Sequence, residues 1–123
     1  EAMTLEDVLK EADFITVHMP LTDSTRNMID KTSIATMKDG VRLVNCARGG
    51  IINQDDLVEA IESGKVAYAG LDVYESEPSV NPKLLEFKNV FLLPHLGSAS
   101  EETREAMGMR VLENVKSFFN NFF

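Results

Sequence analysis

A single cysteine, Cys46, is all the thiol that this 123-residue chain contains, and tryptophan is absent. No disulfide can form within the chain, so the fold has to rest on an apolar core. Basic residues are also few, 12 against 20 acidic ones, which gives a formal net charge of -8 and a pI near 4.7. The Lys and Arg residues are scattered rather than striped, so a nucleic-acid backbone finds no footprint. Long hydrophobic runs are missing: none approaches the roughly 20 residues that a bilayer-spanning helix requires, and no charged-then-apolar leader opens the chain. These absences predict a soluble, cytoplasmic chain that engages neither membrane nor nucleic acid. Also missing is any G-x-G-x-x-G turn, the backbone cradle that many α/β folds build for a pyrophosphate.

What is present is a 44% apolar composition, enough at this length for one core without staples. Helix and strand signals alternate from end to end. In "TLEDVLKEA", Thr4 stands three residues before Asp7, and Leu5, Val8, Leu9 and Ala12 share one helical face,. "DFITVHMP" predicts a strand from about Phe14 to His18, ended by Pro20,. After the polar loop "LTDSTRN", a helix is expected around Lys31 to Met37, closed by Asp39-Gly40, and "VRLVNCA" is the next strand,. "NQDDLVEAIESG" has Asn53 as N-cap, acids in its first turn and Gly64 as its stop, a complete helix signature,. "VAYAGLDV" is a third strand, "ESEPSVNPKLLEF" an irregular connection with one helical turn, and "NVFLLPH" a fourth strand ended by Pro94. Ser98 with Glu101 forms a capping box for a long helix through Met107, Val111, Val115 and Phe118,. Because the strands are short, nearly continuous apolar runs joined by helices, they are expected to be parallel and buried on both faces. The fold class is therefore α/β, doubly wound, with ligands at the carboxyl ends of about four strands flanked by helices. The terminal "SFFNNFF" reads as a surface that meets a partner, or as the end of a piece cut from something longer.

Those carboxyl ends carry the ionisable residues. His18 closes the first strand, Arg48 follows the second, Asp72 and Glu77 lie at and beyond the third, and His95 follows the fourth. Taken singly, each has a plain structural reading. Arg48 could pair with Glu77 or Asp72, His95 with a backbone carbonyl, Asp72 with a turn, and Glu75 with water. His18 could simply end its strand. Cys46 is most simply a small buried apolar side chain, and Gly49 and Gly50 serve a reversal that needs positive φ. Taken together on one rim, they suggest an acid/base pair beside an anion clamp. A carboxylate next to a histidine holds the ring in one tautomer and favours its charged form, while an arginine fork grips a carboxylate bidentately. Such a set suits a small 2-keto or 2-hydroxy acid.

The stretches "DFITVHMPLTDSTRNMI", "VRLVNCARGGIINQDDLVEAIESGK", "AGLDVYESEP" and "NVFLLPHLGSASEETREAM" resemble the D-isomer-specific 2-hydroxyacid dehydrogenases, in that family's order and over most of the chain. The resemblance implies hydride transfer between NAD(H) and a small 2-keto or 2-hydroxy acid, with NADP not excluded. It implies that Arg48 binds and polarises the substrate, His95 is the general acid/base and Glu77 its carboxylate partner. Asp72 would lie near the nicotinamide carboxamide, and His18, Met19, Pro20, Cys46, Ala47 and Gly97 would line the cofactor's path. No metal ligand set is implied. "VNCARGGII" is similar to phosphoglycerate dehydrogenases, and "LLPHLGSASEETREAM" leans toward glyoxylate or hydroxypyruvate reductases.

Set against the family, the missing glycine-rich loop implies that residues 1–123 form the second half of a Rossmann-type cofactor domain, without the pyrophosphate half or the substrate domain. Two expectations follow. The strand near Phe14 to His18 should be an uncovered edge through which the chain forms a homo-oligomer. The isolated chain should have little or no dehydrogenase activity. Two other readings stand beside this one: a stand-alone half domain that self-associates without catalysis, and an NAD-sensing module like the non-enzymatic co-regulators that resemble the family.

Overall fold

The computed structural model describes residues 2–120. Seven-residue helix α1 (Leu5–Glu11) starts at Thr4, whose Oγ1 accepts the Asp7 N–H at 3.2 Å. Strand β1 (Phe14–Val17) follows, ending one residue before His18. Helix α2 (Lys31–Thr36) is closed at Met37, and its N-cap Asp30 trades hydrogen bonds with Ser33 in a reciprocal capping box. Strand β2 (Val41–Asn45) leads through a short 3-10 turn (Gly49–Ile51) into α3 (Gln54–Glu62), where Asn53 Oδ1 caps the Asp56 N–H at 3.0 Å. Strand β3 (Val66–Leu71), a second 3-10 turn (Pro82–Glu86), β4 (Val90–Leu92) and helix α4 (Glu101–Asn120) complete the order. Gly40 and Gly64 both have φ +80, the left-handed stop expected before β2 and β3,. Residues 121–123 of the aromatic tail lie outside the described residues.

The four strands form one parallel sheet in the order β1-β2-β3-β4, with β1 and β4 at its edges. Leu9 of α1, Ile34 of α2 and Leu57, Val58 and Ile61 of α3 join Ile15, Val17, Val41, Leu43 and Leu71 of the strands in one core. Each such side chain removed from water contributes about 1.5–3 kcal/mol before the chain entropy is set against it.

Two expectations are corrected here. The strands are not buried on both faces. β1 alternates exposed and buried residues, and the second face of the sheet presents Phe14, Tyr68 and Phe91 at 68%, 56% and 67% exposure. The Arg42 guanidinium lies over the Phe14 ring at 4.8 Å and the Tyr68 ring at 5.8 Å, as a cation does over an aromatic face,. Short apolar strands read the same from sequence whether one or both faces are covered, because aromatic and β-branched residues suit either side. Likewise α4 is not capped by a Ser98–Glu101 box. Ser100 Oγ accepts the Thr103 N–H at 3.2 Å, and the Arg104 N–H bonds to the Ser100 carbonyl at 3.1 Å. Two serines only two residues apart compete for the cap, and the turn at Gly97–Ser98 decides between them. Every residue of α4 is exposed, Met107, Val111, Val115 and Phe118 included. The helix spans 20 residues with Glu, Lys and Arg interspersed, and among the described residues no helix is long and apolar enough to cross a membrane.

Candidate active site

Because all four strands are parallel, the turns that leave their carboxyl ends share one rim. Asn45, the last residue of β2, is buried to 1% exposure and organises the first of these turns. Its Nδ2 donates to the Arg48 carbonyl at 2.9 Å and its Oδ1 accepts the Ala47 N–H at 3.0 Å. A buried amide with both ends satisfied fixes the Cys46–Arg48 turn and aims the Arg48 side chain outward. Arg48 is exposed, its Nη1 donates to the Ala47 carbonyl at 2.6 Å, and no carboxylate lies within ion-pair distance among the described residues. The ion-pair reading of Arg48 therefore fails. The glycines that follow do not have positive φ. Gly49 is required by space: a Cβ there would stand 1.9 Å from the Tyr74 carbonyl carbon. Cys46, expected to be buried, is exposed, because the turn carries it past the end of the strand.

The second turn holds Asp72, Tyr74 and Glu77. Asp72 is 4% exposed and spends both oxygens on the chain after β4, accepting the Leu96 N–H at 2.7 Å and the Gly97 N–H at 2.9 Å. It clamps the loop that carries His95. That residue has φ +56, a left-handed conformation costly for a side chain with a Cβ,. The clamp on one side and a side-chain bond on the other hold it there. His95 Nδ1 lies 2.8 Å from Glu77 Oε2, while Glu77 Oε1 accepts the Tyr74 N–H at 3.1 Å. The bond to His95 first, and then the Tyr74 N–H, hold the Glu77 carboxyl below the usual carboxylate range, against a small opposing effect of burial,. With Nδ1 engaged, Nε2 is the nitrogen left for proton exchange. Burial pushes the Tyr74 phenol up, and its O–H donates to the Leu93 carbonyl at 2.7 Å, which ties β3's turn to β4.

Arg48, Glu77 and His95 line a single polar cleft of about 500 Å³. The His95 and Glu77 side chains are 43% and 37% exposed, open enough to meet a ligand. The remaining predicted residues lie along the same rim, outside this cleft. His18 Nε2 bonds to Thr16 Oγ1 at 2.8 Å, the Pro20 carbonyl accepts from Thr25 Oγ1 at 2.8 Å, and Met19 and Ala47 pack partly against the core. Cys46 and Gly97 are exposed at the ends of β2 and β4. Asn45 and Tyr74 escaped the sequence reading. A lone amide closing an apolar run was the available signal for Asn45, whereas Tyr74 reads as an ordinary aromatic.

Outside the cleft, the rim residues His18, Met19, Pro20, Cys46, Ala47, Asp72 and Gly97 include no Lys or Arg. Such a set suits the nicotinamide end of a dinucleotide, which carries no negative charge, and brings no cation to its diphosphate. Residues 1–97 match the family described as "D-isomer specific 2-hydroxyacid dehydrogenase, NAD binding domain". The D-3-phosphoglycerate dehydrogenase of Bacillus subtilis is 50% identical over 115 residues, covering 94% of this chain and 22% of the relative. A glyoxylate reductase structure from Paecilomyes thermophila superposes with a TM-score of 0.91 at 45% identity, covering 94% of this chain and 35% of that one. The D-lactate dehydrogenase of Lactobacillus jensenii, solved with NAD+, gives 0.88 at 32% identity, covering 97% and 40%. The chain thus spans between about a fifth and two fifths of the length of these relatives. By sequence profile and by fold alike, it belongs to the D-isomer specific 2-hydroxyacid dehydrogenase family, within that family's NAD-binding domain.

Proposed function

We propose that these residues form the catalytic half of the cofactor domain of an NAD-dependent dehydrogenase acting on a small 2-keto or 2-hydroxy acid. The observation that carries this reading is the His95 Nδ1–Glu77 Oε2 contact of 2.8 Å in the same cleft as an Arg48 with no carboxylate partner. Arg48 receives the substrate carboxylate through its fork and draws electron density from the neighbouring carbonyl. His95 gives a proton to the developing alkoxide in the reductive direction and takes one from the hydroxyl in the oxidative direction. Glu77 holds the ring in the tautomer that leaves Nε2 free and balances the charge of the imidazolium when it forms. Asp72 acts as a positioning residue, since it fixes the backbone on which His95 sits. NAD, when bound, would supply the hydride carrier, and His18, Met19, Pro20, Cys46, Ala47, Asp72 and Gly97 would line its nicotinamide side.

In a full-length protein containing this sequence, NADH consumption with glyoxylate or hydroxypyruvate should fall by about 100-fold or more in His95→Gln and Arg48→Gln, the usual worth of an acid/base or substrate-anchoring group. Activity retained by both variants would overturn the assignment. The 123-residue chain alone should show no turnover, because it has no glycine-rich diphosphate loop.

A second reading, self-association of the isolated chain, is favoured by the edge position of β1 and the exposed Phe14, Tyr68 and Phe91 beside it,. Sedimentation velocity should show a concentration-dependent dimer that Phe14→Lys weakens. A monomer at every concentration would refute it.

A further inference from the structure

We infer that Tyr74 is a positioning residue of the site, whose hydroxyl holds the end of β4 so that His95 meets Glu77. This rests on the reading of His95 and Glu77 as the acid/base pair. Tyr74 stands three residues beyond β3 and is 7% exposed, packed in the core. Its hydroxyl lies 2.7 Å from the Leu93 carbonyl and 3.2 Å from that of Leu71, so its single hydrogen goes chiefly to Leu93,. The Leu93 N–H donates in turn to the Leu71 carbonyl at 2.9 Å. Leu93 is therefore tied at both of its backbone polar groups to the end of β3 and the turn beyond it.

His95 needs that tie. The register of β3 with β4 ends at Leu92, and Pro94 has no N–H with which to extend it,. Downstream of the histidine, Asp72 takes the Leu96 and Gly97 N–H groups at 2.7 and 2.9 Å. Upstream, the Tyr74 hydroxyl holds Leu93, two residues before it. A left-handed residue with a Cβ, such as His95 at φ +56, persists where the chain is fixed on both sides,. Tyr74 acts on the other partner as well: its N–H donates to Glu77 Oε1 at 3.1 Å, while Oε2 meets His95 Nδ1 at 2.8 Å. Phenylalanine would fill the same space and keep that N–H, so Tyr74→Phe removes the strut to Leu93 and leaves the ring's packing in place.

His18 and His95 are the only histidines of the 123-residue chain, so nitrogen NMR spectra of the isotope-labelled chain at alkaline pH report the tautomer of each ring. Because Glu77 accepts from Nδ1, His95 in the parent should carry its hydrogen there,. With Leu93 released, the turn relaxes, the ring leaves Glu77, and the hydrogen divides between the two nitrogens. Tyr74→Phe should therefore lower the ratio of Nδ1–H to Nε2–H at His95 by about fivefold, the order that one net hydrogen bond represents. His18, which bonds to Thr16, should not change. Ile34→Val, which loosens the core from helix α2, should leave both rings as they are. An unchanged His95 ratio in Tyr74→Phe overturns the inference, as does an equal change in Ile34→Val, which would mark the effect as general softening. A parent His95 that already carries its hydrogen on Nε2 overturns the pairing with Glu77 itself, and the inference with it.

Discussion

Replacing Gly49 by alanine adds a single methyl, and the structure says where it goes. The new Cβ would stand 1.9 Å from the Tyr74 carbonyl carbon, 2.1 Å from its oxygen and 2.4 Å from the Glu75 nitrogen. That is about 1.5 Å inside the 3.4 Å at which ordinary contact begins, and every obstructing atom is backbone, so no rotamer change relieves it. Either the Arg48–Ile51 turn or the Tyr74–Glu77 turn must move, and Arg48 separates from the His95–Glu77 pair in both cases. Overpacking against flexible side chains costs about 1–3 kcal/mol, so a backbone-on-backbone collision belongs at or above the top of that range. For a domain of this size, about 3 kcal/mol lowers the melting temperature by roughly 12 °C. Circular dichroism melts of Gly49→Ala and Gly50→Ala would test the reasoning by contrast. The second methyl meets Arg26 Nη1 at 3.2 Å and the Leu21 methyls Cδ2 and Cδ1 at 3.3 and 3.5 Å, all ends of movable side chains, and should cost about 1 kcal/mol or less. Melting of Gly49→Ala within about 3 °C of the parent, or an equal loss in the two variants, would refute the close-approach argument.

The Glu77 carboxyl is depressed in the fold by His95 and the Tyr74 N–H, so its contribution to stability is complete above the ordinary glutamate value of 4.5 and disappears as pH falls through the lower folded value,. Both partners are more than a third exposed, so the contribution is under about 1 kcal/mol. Melts from neutral to strongly acid pH should show a decline that Glu77→Gln flattens, and parallel curves for the two proteins would contradict it. Asp72→Asn places an N–H donor where the Leu96 and Gly97 N–H groups now find carboxylate oxygens. The loss should be about 2–3 kcal/mol of local stability, read as faster amide hydrogen exchange at those two positions; unchanged protection would show that the clamp is dispensable.

Much of the fold is local in origin, and local signals are what a sequence displays. Asn53 with its acidic first turn and Gly64 stop, Thr4 with Asp7, and the apolar run "VRLVN" each act within a few residues, so α3, α1 and β2 form where the pattern puts them. The candidates for the reactive groups also stood out, because Arg48, Glu77 and His95 follow the ends of successive apolar strands. By itself the sequence determined the alternation of elements and the parallel sheet, and it put forward the candidate residues of the site. Tertiary structure decided matters that depend on neighbours distant along the chain. It determined that only one face of the sheet is covered, that Glu77 reaches a histidine 18 residues away, and that Asp72 holds a loop 24 and 25 residues further on. It also gave Gly49 its reason, the backbone of Tyr74, rather than a dihedral angle. A hydrogen bond or a collision is set by separations in space to tenths of an ångström, whereas sequence spacing constrains such separations only within one turn or one strand.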